Sequence, residues 1–174
     1  MHLYLIRHAE AQPPGGAVST DADRPLSDRG EDDAAAIGRV LALTDPGIGL
    51  IMTSPLMRAV RTGSLIAGAF TPEPERRITE HLAPGFQIQA LTDELLVLGS
   101  SARVVLIGHQ PDMSVLLCRL IAAGARGSIA FAPGSVACLT ASPLGQQIDA
   151  QLRWLLTPQV VLPLLSRMES RRLP

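Results

Sequence analysis

Residues 1–12 read MHLYLIRHAEAQ, an apolar run that stops abruptly on Arg7, His8, Ala9 and Glu10. Leu3, Leu5 and Ile6 are apolar and Tyr4 suits a pleated surface, so residues 2–6 read as a short buried strand. After Ala9 the pattern collapses into QPPGGAVSTDAD, which is loop composition. Arg7 and His8 therefore stand at the carboxyl end of the first strand. In open α/β sheets that edge is where ligands bind.

The rest of the chain supplies the other layers. Ser27 reads as the N-cap of a helix with an acidic first turn that runs to about Leu43. GLIMTS, residues 49–54, is a second strand, and Pro55 opens the helix PLMRAVRTGSLIAGAF at its favoured first position. TPEPERR reads as a turn, and QIQALTDELLVLG as a helix ended by Gly99. ARVVLIGH is a buried strand, followed by Pro111 and the helix MSVLLCRLIAAG. GSVACLTASP and QIDAQLRWLLTP form two strands joined by a Leu-Gly turn as a hairpin. The order predicts a single three-layer α/β domain spanning residues 1–174, with a largely parallel central sheet flanked by helices.

Composition narrows the chemistry. The 174 residues can bury a core without disulfides, and 47% hydrophobic content argues against disorder. A net charge of −1 gives no general drive toward nucleic acid or anionic membrane, so any anion site is local. All 15 basic side chains are arginine, which removes Schiff-base lysine chemistry and the P-loop lysine. Arginine instead grips oxyanions in a fixed fork, although arginine-rich codon usage accounts for most of the bias. Cys118 and Cys138 lie in apolar runs and read as core thiols, which fits a reducing, cytoplasmic setting. The amino-terminal apolar stretch is too short for a signal peptide, and Pro163 breaks VVLPLL, so no membrane span is expected.

Three strand ends carry the candidate chemistry. Arg7-His8 follows the first strand, Arg58 lies in the first turn after the second, and His109 ends the strand VVLIGH. A lone histidine at a strand end is usually a satisfied polar residue, and a lone arginine on a helix is usually surface. In a parallel sheet, however, all these ends share one edge, where helix amino termini add N–H groups and partial positive charge. Such a pocket suits a dianionic tetrahedral group. Arg61 reads as surface, His2 and His81 as solitary, and no spacing resembles a metal site.

LIRHAEA, RPLSDRG, SPLMRAVRT and VLIGHQPDMS, in this order, resemble the histidine phosphatase superfamily (phosphoglycerate mutase-like). Compact length, the G-H-x-P turn and the terminal LRWLLTP are most similar to its bacterial phosphohistidine phosphatase branch. Ala9 stands where a glycine often follows the family's Arg-His. The resemblance implies a metal-independent, cofactor-free phosphatase in which His8 is the nucleophile and Arg7, Arg58 and His109 clamp the phosphoryl group. Attack requires an unprotonated ring nitrogen, so the other N–H needs an acceptor such as a backbone carbonyl. At its ordinary pKa of about 6.5, His8 would lose activity in mild acid.

Two residues are left open by the resemblance. Larger relatives take a general acid from an inserted segment; here the stretch RRITEHLAPGF is short and offers Glu80, which otherwise reads as a solvated loop carboxylate. Arg24 either lines the pocket rim or pairs with Asp21 or Asp23 to fix the loop. The expected substrate is phosphohistidine in a partner protein, with a small phosphorylated molecule as the alternative. A non-catalytic phosphate-binding module is disfavoured because all four site residues are retained. A mutase needs elements for which the chain is too short. A dinucleotide-binding fold lacks its G-x-G-x-x-G, for which PPGGA is no substitute.

Overall fold

Strands β1 (His2–Arg7), β2 (Leu50–Thr53), β3 (Glu75–Ile78), β4 (Arg103–Gly108), β5 (Val136–Leu144) and β6 (Gln147–Leu156) form one sheet in the order β3-β2-β4-β1-β5-β6. The computed structural model describes residues 1–15, 20–122 and 129–170. Strands β1 to β4 run parallel, while β5 and β6 form an antiparallel hairpin against β1. The hairpin turn places Gly145 at φ 60°, a conformation open to glycine at no steric cost. Because β1, β2, β3 and β4 are parallel, Arg7, Thr53, Ile78 and Gly108 end on one edge.

Alternation along β1 divides the core. Leu3 and Leu5 face the layer made by α3 (Ile88–Leu96) and α4 (Asp112–Ala122), where Leu91, Leu95, Met113 and Leu117 are buried. Tyr4 and Ile6 face α1 (Asp28–Thr44), α2 (Met57–Ala67) and α5 (Pro158–Ser170), which bury Ile37, Leu41, Ile66 and Val161. The expected three-layer architecture is observed. Each fully buried Leu or Ile supplies roughly 1.5–3 kcal/mol of transfer free energy.

Ser27 caps α1 as read from the sequence, its hydroxyl accepting from the Gly30 amide at 3.1 Å. Gly30 explains the DRG of the second motif. A Cβ there would lie 2.0 Å from the Glu10 carbonyl oxygen, so only glycine lets α1 start against the segment that follows His8. That same carbonyl accepts from the Ser27 amide at 2.9 Å. Gly30→Ala should therefore lower stability by about 3 kcal/mol or more, because the obstacle is backbone rather than a movable side chain. Urea denaturation checks this; an unchanged midpoint would show that the contact relaxes freely.

Three expectations are corrected. Part of the TPEPERR turn is strand β3, an edge strand whose side chains are mostly exposed but whose backbone pairs with β2. Pro55 does not open α2; the helix starts at Met57, with Leu56 as N-cap. VVLPLL lies within α5, which carries Pro163 on its exposed side while Val161 and Leu165 anchor it to the core. Gly99, expected to end this helix, lies beyond it at φ 84°; α3 stops at Leu96 with Val97 as its C-cap. The end of the fourth helix, residues 123–124, and part of PPGGA lie outside the described residues.

Candidate active site

His8 follows β1, His109 follows β4, and Arg58 lies in the first turn of α2. The His8 and His109 rings lie 5.0 Å apart, centroid to centroid. His8 Nδ1 is 2.7 Å from the Ala9 carbonyl oxygen, which can only accept, so Nδ1 carries the proton. That leaves Nε2 with a free lone pair, which accepts from Arg58 Nε at 3.2 Å. The backbone acceptor expected for the histidine is thus the carbonyl of the next residue. Ala9 is itself fixed, its amide donating to Thr62 Oγ1 at 3.1 Å, and that hydroxyl donates onward to the Arg58 carbonyl at 2.7 Å.

Arg58 is buried, 5% exposed, and ends in a second set of contacts. Its Nη1 donates to the Asp21 carbonyl at 2.6 Å and its Nη2 to Asp21 Oδ2 at 3.0 Å. Arg24 reaches the other Asp21 oxygen at 2.8 Å and the Gln12 carbonyl at 2.8 Å. Of its two open readings, pairing with Asp21 is therefore realised, and it puts Arg24 one contact from Arg58. Arg7 donates from Nη1 to the Phe131 carbonyl at 2.9 Å, while its buried Nε has no partner among the described residues. Its positive charge acts on both histidines.

His109 Nε2 lies 2.7 Å from the buried Ser54 hydroxyl, so the serine of SPLMR orients this ring. Glu80 begins a short 3-10 turn after β3 and is exposed. Among the described residues, no hydrogen bond or ion pair joins its carboxylate to His8, Arg58 or His109. His81 is not solitary: its Nδ1 lies 2.9 Å from Glu94, which also accepts from Thr79. Nor is His2, whose Nδ1 lies 3.5 Å from Asp45. Arg61 is a surface residue in a two-bond pair with Glu31.

Burial keeps both ring systems neutral. Desolvation is the largest cause of the drop in the His8 pKa to about 3, opposed by the Ala9 carbonyl and reinforced by His109, Arg58 and Arg7. His109 is pulled to about 4, again mainly by desolvation and then by Arg58. The mild-acid titration expected at about 6.5 is therefore displaced well downward. In the unfolded chain these imidazoles take up protons below about pH 6.5, while the folded ones do not until about 3 to 4. Their contribution to stability is thus complete above pH ~6.5 and is lost as pH falls toward the folded values. Nitrogen-15 NMR of the free enzyme should show both rings neutral at pH 5.5, with His8 protonated on Nδ1. A half-protonated His8 at that pH would contradict the burial effect.

His8 is a half-buried imidazole whose Nε2 accepts from the buried Arg58, with the buried His109 ring beside it, a cluster chemically suited to meeting an oxyanion. The histidine phosphatase superfamily (branch 1) model matches residues 3–83. An uncharacterized protein of Picosynechococcus sp. is 34% identical over 116 residues, which cover 65% of this chain and 68% of that protein. The chain belongs to the histidine phosphatase superfamily and is a hydrolase of that class. Among solved structures, the protein histidine phosphatase SixA complexed with tungstate matches with a TM-score of 0.80 at 20% identity, over 92% of this chain and 99% of its own. A SixA-type protein of Nakamurella multipartitia matches at 0.73 and 25% identity, over 90% and 95%. The mycobacterial glucosyl-3-phosphoglycerate phosphatase complexed with VO3 shares the fold at 0.67 and 18% identity, over 88% and 97%.

Ser54, Asp21 and Thr62 are site residues that sequence reasoning passed over. Ser54 stood inside a quoted motif, but only the return of β4 beside β2 brings His109 to it. From the sequence Asp21 reads only as a possible partner for Arg24.

Proposed function

We propose that residues 1–174 form one histidine phosphatase domain that hydrolyses phosphohistidine in a partner protein through phosphorylated His8. The observation that carries this reading is the His8 tautomer: Nδ1–H is committed to the Ala9 carbonyl, so the ring's lone pair is on Nε2, facing Arg58 Nε. His8 Nε2 attacks phosphorus in line, the leaving group departs, and Arg7 and Arg58 neutralise the equatorial oxygens beside the neutral His109 ring, which completes the clamp. Water then attacks phospho-His8 and releases phosphate, with Nε2 regaining its lone pair. Fixed cations supply the charge stabilisation, so neither metal nor other cofactor is assigned a step.

The phosphohistidine substrate is favoured by the position of Glu80, exposed and without a polar link to the histidines. Phosphohistidine whose second ring nitrogen is protonated leaves as neutral imidazole and needs little help from an acid. The solved SixA structure is that of a protein histidine phosphatase, which agrees with this choice. A small phosphorylated molecule is the second reading, favoured by the shared fold of a glucosyl-3-phosphoglycerate phosphatase. Among the described residues no helix is long and apolar enough to cross a membrane, and neither Cys118 nor Cys138 is in a disulfide. Those thiols support a reducing, cytoplasmic setting. Phosphate release from a phosphohistidine protein, run beside a panel of phosphomonoesters, tests the assignment. A preference for the protein supports it; a clear preference for one sugar or glycerate phosphate moves it to the second reading.

A further inference from the structure

Arg58 carries five N–H donors, and three are already used: one on His8 Nε2, one on the Asp21 carbonyl and one on Asp21 Oδ2. Both terminal nitrogens are thus clamped by a single residue, through its main chain and its side chain together. Such a clamp stops rotation about the last bonds of the arginine and keeps Nε aimed at the histidine. It leaves two donors for an incoming oxyanion. It also places a full carboxylate charge beside the group that must receive that oxyanion, and this charge is felt at His109. The Asp21 side chain is 61% exposed, so it stands at the mouth of the pocket rather than in its floor. Arg24 holds the second carboxylate oxygen and is itself tied to the Gln12 carbonyl, which fixes Asp21 from outside.

We propose that Asp21 is a positioning and charge-selecting residue: it sets the plane of Arg58 and makes the pocket discriminate against substrates carrying extra negative charge near the phosphoryl group. The proposal rests on the phosphoryl-binding reading of the site and adds a substrate preference to it. Phosphoryl on a neutral ring or on a peptide brings less charge than a phosphomonoester that also carries a carboxylate. The carboxylate at the mouth therefore favours the former without touching either. Positioning acts through Arg58, and selection acts through Coulomb repulsion, which falls with salt.

These two effects separate in paired variants. Asp21→Asn keeps an oxygen that can accept from Arg58 Nη2 but removes the charge. Its kcat on an aryl phosphate should fall clearly less than that of Asp21→Ala, while KM falls about five- to tenfold for a phosphomonoester bearing a carboxylate and less for the aryl phosphate. Asp21→Ala removes the side-chain acceptor, so kcat should fall on every substrate, with Asp21→Asn restoring part of it. Arg24→Gln leaves Arg58 as the partner of the Asp21 carboxylate and removes one positive charge beside it, so KM for the carboxylated substrate should rise, the opposite sign. Calorimetric titration with tungstate, which needs no turnover, should show tighter binding to Asp21→Asn and weaker binding to Arg24→Gln. This binding arm holds even if phosphohistidine is not the substrate or His8 is not the nucleophile.

Charge-independent KM values across all three variants would reduce Asp21 to a loop contact. A collapse of kcat in Asp21→Asn equal to that in Asp21→Ala would make it a proton donor or base instead. Either result overturns the proposal.

Discussion

His8→Ala should lose kcat/KM by on the order of 10⁴-fold or more, because it removes the nitrogen proposed to accept the phosphoryl group. Tungstate should still bind within about tenfold of wild type, since the charges of Arg7 and Arg58 and the His109 ring remain. Chemistry and binding therefore separate in one variant. In the wild type, brief incubation with phosphorus-labelled substrate followed by denaturation should leave label on His8. Its bond is a phosphoramidate, so the label should be lost in acid and kept in alkali. The geometry makes a specific demand here: Nδ1–H is tied to the Ala9 carbonyl at 2.7 Å, so the label belongs on Nε2. An active His8→Ala enzyme, or label on another residue, would end the histidine-nucleophile reading.

Much of the frame that holds this site was legible in the chain because its strands are buried on both faces. β1, β2 and β4 are continuous apolar runs, and each stops where its last residue meets the pocket edge. β3 escaped because it is an edge strand. Glu75, Arg76 and Ile78 are exposed, so no side-chain pattern marks a strand whose existence lies in backbone bonds to β2. α5 escaped because Pro163 looks like a breaker. A proline on the exposed side of a helix forfeits an N–H, yet Val161 and Leu165 on the other side keep the helix docked on the core.

The site divides the same way. Arg7, His8, Arg58 and His109 sit in compact motifs at strand ends, so their convergence follows from a parallel sheet. Asp21 on Arg58 and Ser54 on His109 join positions 37 and 55 residues apart, and no local pattern encodes either contact. The Gly30 contact with Glu10 is of the same kind, two motifs fitted together by the absence of one methyl group. Motifs reveal which groups meet the substrate. The contacts that aim those groups are set by packing between elements.

Glu80→Gln should divide substrates by their leaving groups. Cleaving an alkyl phosphate expels an alkoxide-like oxygen that needs a proton as the bond breaks, and a placed general acid is worth roughly 10²–10⁴-fold there. Glu80 is exposed at the start of the turn Glu80–Leu82, with no polar link to His8, Arg58 or His109 among the described residues. A carboxyl so exposed is a solvated group rather than an acid held in place against the substrate. Turnover of aliphatic phosphomonoesters should therefore be slow already in the wild type. Whatever rate remains should fall by up to about 10²-fold in Glu80→Gln, if substrate binding draws the carboxyl in. Phosphohistidine and nitrophenyl phosphate, whose leaving groups depart without a proton, should change by no more than about threefold. Steady-state kinetics on the three substrate types, in both proteins, decides the matter. Efficient aliphatic turnover that collapses in Glu80→Gln would mark a small-molecule phosphatase with a working acid. An equal loss on all three would instead make Glu80 a structural residue of its turn. A loss confined to the aliphatic substrate, from an already low rate, is the result expected of a site fitted to phosphohistidine.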